Sequence, residues 1–467
     1  MPNKKWAGKQ VLVVICFLVS SCSFYHREYK GEDPYDTTFL LRTVQVDDFG
    51  SWWNPQKAQE TFDLVEDAAK NTNTYVVLFI HGWHHNADIE NPRDPDDNYE
   101  NFKKVLAKLA GKLATSENAE TRRRLTGNPD FKLIGVYVGW RGRSLPGFLD
   151  YATMWWRKPA AERVGDGDVS EFIERLHRLY LRTNAISATT PDARKRFMGL
   201  VSIGHSFGGQ VLMKSLARPI EYDLTERAPK LARTLGSPVQ IPLRNRVPQR
   251  TPIDSYGDVN ILINPALEAY QFAKIDGLYR QIAFPSNQSP QLVVFSADND
   301  RPRQFYFPLA RALTWPFRPW FRDEQQAQLY GQALGEYEPQ RTHTLKLTLG
   351  VRDSVHDEDL FNTAEISRLD LTGQLTMSGV TLEPIAQRRV PNSPVAVVYT
   401  ENKIIDGHNE IFRPEFVEFL TRYIELIEGK NLEVRKERSM QRFQARCERL
   451  DNLKQLCAAS HMNPKKP

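Results

Sequence analysis

The sequence predicts an α/β protein with a mostly parallel central sheet flanked by helices. Three observations carry this. From about residue 60 to residue 430, short apolar runs of strand length alternate with segments of helical period, the signature of βα units. The run "TYVVLFIHG" (Thr74–Gly82) is apolar almost throughout, as strands buried on both faces are. At 467 residues and 41% hydrophobic content, the chain can bury one large core or two ordinary ones.

Taken in order, Thr74–Gly82 is a strand ending in His-Gly. A helix is expected from about Tyr99 to Ala114, beyond an acidic, proline-containing loop. "KLIGVYVGWRG" (Lys132–Gly142) is the next strand, and a helical stretch near Val169–Arg182 precedes the strand "MGLVSIG" (Met198–Gly204). The helix "GGQVLMKSLARPI" is expected to end by Pro219. "DVNILINPA" (Asp258–Ala266), "PQLVVFSADND" (Pro290–Asp300) and "SPVAVVYT" (Ser393–Thr400) supply three more strands. A last helix, "RPEFVEFLTRYIELIEGK", carries Pro414 in its first turn and Gly429 where its end is expected. Residues 218–256, rich in proline and arginine, read as a surface insertion. Residues 331–390, with "THTLKLTLG" and "RLDLTGQLTMSGVTL", read as antiparallel strands added to the sheet or its rim. The main domain is therefore placed at 61–430, after a tether and peripheral element (22–60) and before a charged tail (431–467).

The first 21 residues read as an export signal. Lys4, Lys5 and Lys9 precede an apolar stretch, Val11 to Val19, too short to span a bilayer comfortably. Val19-Ser20-Ser21-Cys22 resembles the lipobox of bacterial lipoproteins, which implies lipidation of Cys22 and a membrane anchor there. Ser23 resembles lipoproteins sent onward to an outer membrane, so the expected place is the cell envelope, on the periplasmic face of the outer membrane in a diderm cell. Cleavage before Cys22 leaves 59 basic against 57 acidic residues, so most of the formal charge of +5 belongs to the signal. With no basic stripe interleaved with aromatics, nucleic acid is not an expected partner. In an oxidising compartment Cys447 and Cys457 are a candidate disulfide. One straight helix would hold their Cα atoms roughly 15 Å apart, so a bridge needs a turn between them.

The chemistry centres on Gly204-His205-Ser206-Phe207-Gly208. Gly-x-Ser-x-Gly alone would arise by chance about 0.1–0.2 times in a chain this long, so its setting carries the weight. A strand directly before and a helix directly after make a nucleophile elbow, in which Gly204 and Gly208 permit a tight turn. The turn lifts the hydroxyl above the strand ends and aims the helix N-terminus at the reacting centre. A serine nucleophile needs a base, and the base an orienting carboxylate. Of the downstream histidines, His343 begins a strand in the insertion, His356 sits in a charged loop and His461 lies in the tail. His408 alone follows a strong strand and directly precedes a helix, which makes it the expected base. The acid is Asp298 or Asp300, both in the loop after the strand through Phe295. An oxyanion hole needs two N–H donors, expected from Phe207 and from Trp83 in the loop after Gly82. His81, His84 and His85 lack a carboxylate or cysteine partner at metal-site spacing and read as loop-packing groups. No metal or other cofactor is expected.

With Ser206, an acid after the next-but-one strand and a late Gly-His in this order, the chain resembles the α/β-hydrolase superfamily. "FIHGWHHNA", "GHSFGG" and "FSADNDRPR" resemble a poorly characterised branch of serine hydrolases. The resemblance covers roughly 74–216 and 258–428 and implies Ser206 as nucleophile, His408 as base and Asp300 rather than Asp298 as acid. It implies a serine esterase or lipase-like enzyme, acting on a small-molecule or lipid ester. Two alternatives remain: acyl transfer on the same triad, and a non-catalytic lipoprotein scaffold that uses the hydrolase fold. "PGFLDYATMWWRK" and "FYFPLARALTWPFRPWFR" are expected to pack a core or insertion, or else to wall an acyl site or face a membrane.

Overall fold

A computed structural model describes residues 36–87, 96–144, 154–185, 196–227, 246–249, 252–253, 256–306, 321–354 and 366–449, together with Glu28, Tyr29 and Asp33. Twelve strands are described: β1 (Leu40–Gln45), β2 (Asn73–Ile80), β3 (Phe131–Gly139), β4 (Met198–His205), β5 (Val247–Pro248), β6 (Val259–Ile263), β7 (Ile282–Ala283), β8 (Leu292–Ala297), β9 (His343–Leu347), β10 (Leu375–Met377), β11 (Val380–Pro384) and β12 (Val395–Thr400). Ten of them form one sheet in the order β1-β3-β2-β4-β6-β8-β12-β9-β11-β10. Every neighbouring pair from β1 to β9 is parallel. The β9–β11–β10 rim is antiparallel, so the 331–390 segment extends the sheet as expected. Residues 40–45, in the stretch read as a tether and peripheral element, supply the opposite edge strand.

The parallel strands bury both faces because their side chains alternate. Val76, Leu78 and Ile80 pack on one side with helices α1 (Pro55–Asn71), α5 (Asp168–Asn184) and α6 (Phe207–Arg227). Tyr75, Val77 and Phe79 pack on the other side with α2 (Asp97–Leu113) and α9 (Pro414–Arg449). Between these in sequence lie α3 (Ser116–Thr126), α4 (Met154–Asp166), α7 (Ala269–Tyr279) and α8 (Glu324–Gly331). The α2 helix starts where Asp96 accepts from the Tyr99 N–H, an N-cap that satisfies an orphan donor of the first turn.

Two helix ends differ from expectation. The helix after Ser206 does not stop at Pro219 but runs to Arg227. Leu212, Leu216, Ile220 and Leu224 recur every four residues and are all buried, so packing of that stripe outweighs the hydrogen bond the proline forfeits. The last helix does not stop at Gly429 but continues to Arg449. A Cβ at Gly429 would lie 2.7 Å from Ile366 Cδ1, so this glycine serves close packing rather than a helix cap. Cys447 is in this helix, while Cys457 and Cys22 lie outside the described residues.

Candidate active site

The parallel strands end on a common rim, and the loops after β2, β4, β8 and β12 meet there. Ser206 follows β4 with φ 55°, the left-handed conformation that a sharp strand-to-helix turn demands and that few non-glycine residues adopt. Four backbone bonds hold it. Its N–H donates to Ile263 O at 3.0 Å, and its carbonyl accepts from Gly209 at 3.0 Å, Gln210 at 3.3 Å and Ala266 at 3.0 Å. The flanking glycines are required by contact. A Cβ on Gly204 would lie 2.5 Å from Gly208 O, and one on Gly208 would lie 2.1 Å from Ile80 O. The elbow is thus wedged against the end of β2.

His408 and Asp300 complete a hydrogen-bonded row. Ser206 Oγ lies 2.7 Å from His408 Nε2, and His408 Nδ1 lies 2.7 Å from Asp300 Oδ2. A neutral imidazole that accepts at Nε2 carries its proton on Nδ1, where Asp300 receives it. Asp300 is fully buried, and burial by itself would raise its pKa. Its interactions with His408 and Arg303, including the hydrogen bonds both donate, outweigh that and hold the carboxyl well below the usual range. Asp298 does not take this place. Its carboxyl makes no hydrogen bond to the imidazole, its pKa is raised mainly by burial, and its carbonyl accepts from Gln304 Nε2 and the Tyr399 hydroxyl.

No known protein family, curated protein or solved structure matches this chain. The residues themselves therefore carry the functional argument.

A second layer of side chains fixes the triad, and most of it was not singled out from the sequence. Arg303 is fully buried in a π-helical turn, Pro302–Tyr306. It donates to Asp300 Oδ2 at 2.7 Å, Ser296 Oγ at 2.7 Å and Glu336 Oε1 at 2.8 Å. The only sequence signal for it was a basic residue three positions after the acid; Arg301, the nearer one, is exposed. The loop carrying His408 is held by its backbone. Asn264 Nδ2 donates to Gly407 O and His408 O at 3.0 Å each, and Asn299 Oδ1 accepts from the Gly407 N–H at 2.7 Å. His205 Nε2 donates to His408 O at 2.9 Å, and burial, the largest cause, holds its pKa well below the ordinary value. This histidine is neutral and structural.

The loop after β2 closes over Ser206. A Cβ on Gly82 would lie 2.7 Å from Ser206 Cβ. His81 accepts the Trp140 N–H at Nε2 (3.0 Å) and donates from Nδ1 to Gly82 O (2.9 Å); burial lowers its pKa to about 4. With the Gly82 carbonyl turned to His81, the N–H of the same trans peptide, that of Trp83, points to the opposite side. Trp83 is buried, and its ring centroid is 6.3 Å from that of Phe207. His84 stacks on Trp83 with φ 68°, and His85 Nδ1 lies 3.4 Å from Asp96, whose pKa falls to about 2 because its partners outweigh burial. The three histidines fasten this loop. Of the two aromatic stretches, residues 154–158 of the first and 305–306 and 321–322 of the second are described; Trp156 is exposed and Arg157 buried.

Proposed function

We propose that the protein is a lipid-anchored serine hydrolase of the α/β-hydrolase type that cleaves carboxylic esters through an acyl-enzyme. The observation that carries this is the unbroken row Ser206 Oγ–His408 Nε2 and His408 Nδ1–Asp300 Oδ2, each link 2.7 Å, on a strained strand-to-helix turn. His408 would take the hydroxyl proton as Ser206 Oγ attacks the ester carbonyl, and Asp300 would stabilise the imidazolium. The same proton then passes to the leaving alkoxide. Water, activated by His408, cleaves the acyl-enzyme in the second half. The Phe207 N–H, first in its helix and so without an intrahelical acceptor, and the Trp83 N–H would bind the oxyanion.

The anchor is part of the same proposal. It is supported by the lipobox-like run before Cys22. The test is labelling with a fluorophosphonate, together with turnover of p-nitrophenyl esters from acetate to palmitate. Wild type should label and turn over, and Ser206→Ala should do neither. A folded wild type that labels no more than Ser206→Ala would refute the reading.

A further inference from the structure

A pocket of about 260 Å³ opens on the same rim of the sheet, one loop away from the nucleophile. Tyr29, Asp48, Phe49, Trp53, Trp140 and Arg141 line it. It is joined to the site through Trp140, whose indole N–H donates to His81 O at 2.8 Å. Large aromatic side chains ordinarily bury their rings, yet Phe49 is 77% exposed, Trp53 43% and Trp156 68%. Among the described residues these are the exposed phenylalanine and tryptophans; Phe49 and Trp53 line the pocket, and Trp156 directly precedes Arg157, which binds Asp48 of its lining. Asp48 accepts from Arg157 at 2.8 and 3.0 Å, and also from Arg141, which clamps the Phe49 loop onto α4 beside Trp156. Arg163 lies over the Phe49 ring, 5.8 Å from its centroid. Trp156 and Arg163 are seven residues apart in α4 and so lie on one side of that helix.

The chain itself indicates what this face meets. Tyr29 is tied to β1 by paired bonds with Gln45, its N–H to Oε1 at 2.9 Å and its carbonyl from Nε2 at 2.8 Å. Cys22 is seven residues before Tyr29, and seven extended residues reach at most ~25 Å. Tyr29, which lines the same pocket as Phe49 and Trp53, is therefore within ~25 Å of chain from the proposed anchor. Tryptophan and phenylalanine backed by arginine suit the boundary between headgroups and acyl chains.

We infer that Phe49, Trp53 and Trp156 form the face on which the protein rests on the lipid bilayer, with the catalytic rim turned to the membrane and a membrane-resident lipid ester as its substrate. This rests on the proposed anchored serine hydrolase and adds its orientation and substrate class.

The experiment uses the full chain, carrying Trp6→Phe so that no tryptophan in the signal contributes. The protein is reconstituted in phosphatidylethanolamine–phosphatidylglycerol vesicles with or without brominated acyl chains. Tryptophan emission should be lower in brominated vesicles, and Trp53→Phe/Trp156→Phe should lose that difference. Phe49→Trp should add a newly quenched fluorophore, a gain of signal that a misfolded variant would not give. Equal emission in the two vesicle types overturns the inference, and so does quenching that survives the double substitution. A protein held away from the bilayer, or docked through this face to a second protein, gives one of those results. Quenching needs no catalysis, and fluorophosphonate labelling in the same vesicles reports Ser206 separately.

Discussion

Arg303 and His408 donate to the same oxygen, Oδ2 of Asp300, each at 2.7 Å. The Arg303 backbone N–H also donates to Oδ1 at 3.1 Å. The carboxylate is thus oriented from below by a buried guanidinium before it orients the imidazole above it.

Removing that guanidinium leaves buried Asp300 and half-buried Glu336 without their shared cation. Arg303→Met should cost about 3–5 kcal/mol in chemical denaturation, as breaking a buried pair does. Arg303→Lys should recover only part of this, since an ammonium cannot span Asp300, Ser296 and Glu336 as the planar fork does.

Asp300 also predicts an acid dependence of stability. Its folded pKa lies below the unfolded value of about 3.9, so it contributes stability above about pH 4. That contribution is lost as pH falls through the folded value. The stability advantage of wild type over Asp300→Asn should hold near neutrality and shrink below about pH 4, measured by urea unfolding across that range.

The two acids of one loop should behave differently in catalysis. Asp300→Asn should lower kcat by about 10³–10⁴, because the imidazole loses the tautomer that Asp300 selects. Asp298→Asn should leave kcat unchanged, as its carboxyl does not meet His408. Steady-state hydrolysis of a soluble ester separates them, and equal losses would overturn the assignment.

Gly82→Ala places a Cβ 2.7 Å from Ser206 Cβ and 3.0 Å from His205 Nδ1. Overpacking of this kind costs about 1–3 kcal/mol, read as a lower melting temperature. The displaced loop should also lower kcat/KM by about 10²-fold, the scale of a misplaced oxyanion donor.

Asn264 holds the His408 loop from behind. It accepts the Ala297 N–H at 2.8 Å and donates to Gly407 O and His408 O. Asn264→Ala should lower kcat by about 10²-fold with KM unchanged. Asn264→Asp keeps the acceptor for Ala297 but loses both donors, and it should fall with the alanine variant. An aspartate variant of normal kcat would mean that only the bond to Ala297 matters.

The sequence alone determined what is local and periodic. Apolar runs of strand length between helical segments announced the parallel sheet, because strands covered on both sides admit few polar residues. Glycine on either side of Ser206 announced the elbow, because only a residue without Cβ fits against Gly208 O and Ile80 O. His408 was legible because it alone lay between a strand and a helix.

Tertiary structure decided what depends on distant partners. Asp298 and Asp300 share a loop and a side-chain type, so spacing does not separate them; the family resemblance favours Asp300, and the place to which the β12 loop brings His408 bonds the imidazole to that one. Arg303 and His205 stand inside motif stretches and Asn264 does not, yet none of their roles was legible, since those roles consist of bonds to residues up to 203 positions away. Pro219 and Gly429 read as helix ends, yet buried stripes and close helix contacts carried both helices past them, because packing summed over several turns exceeds one local signal.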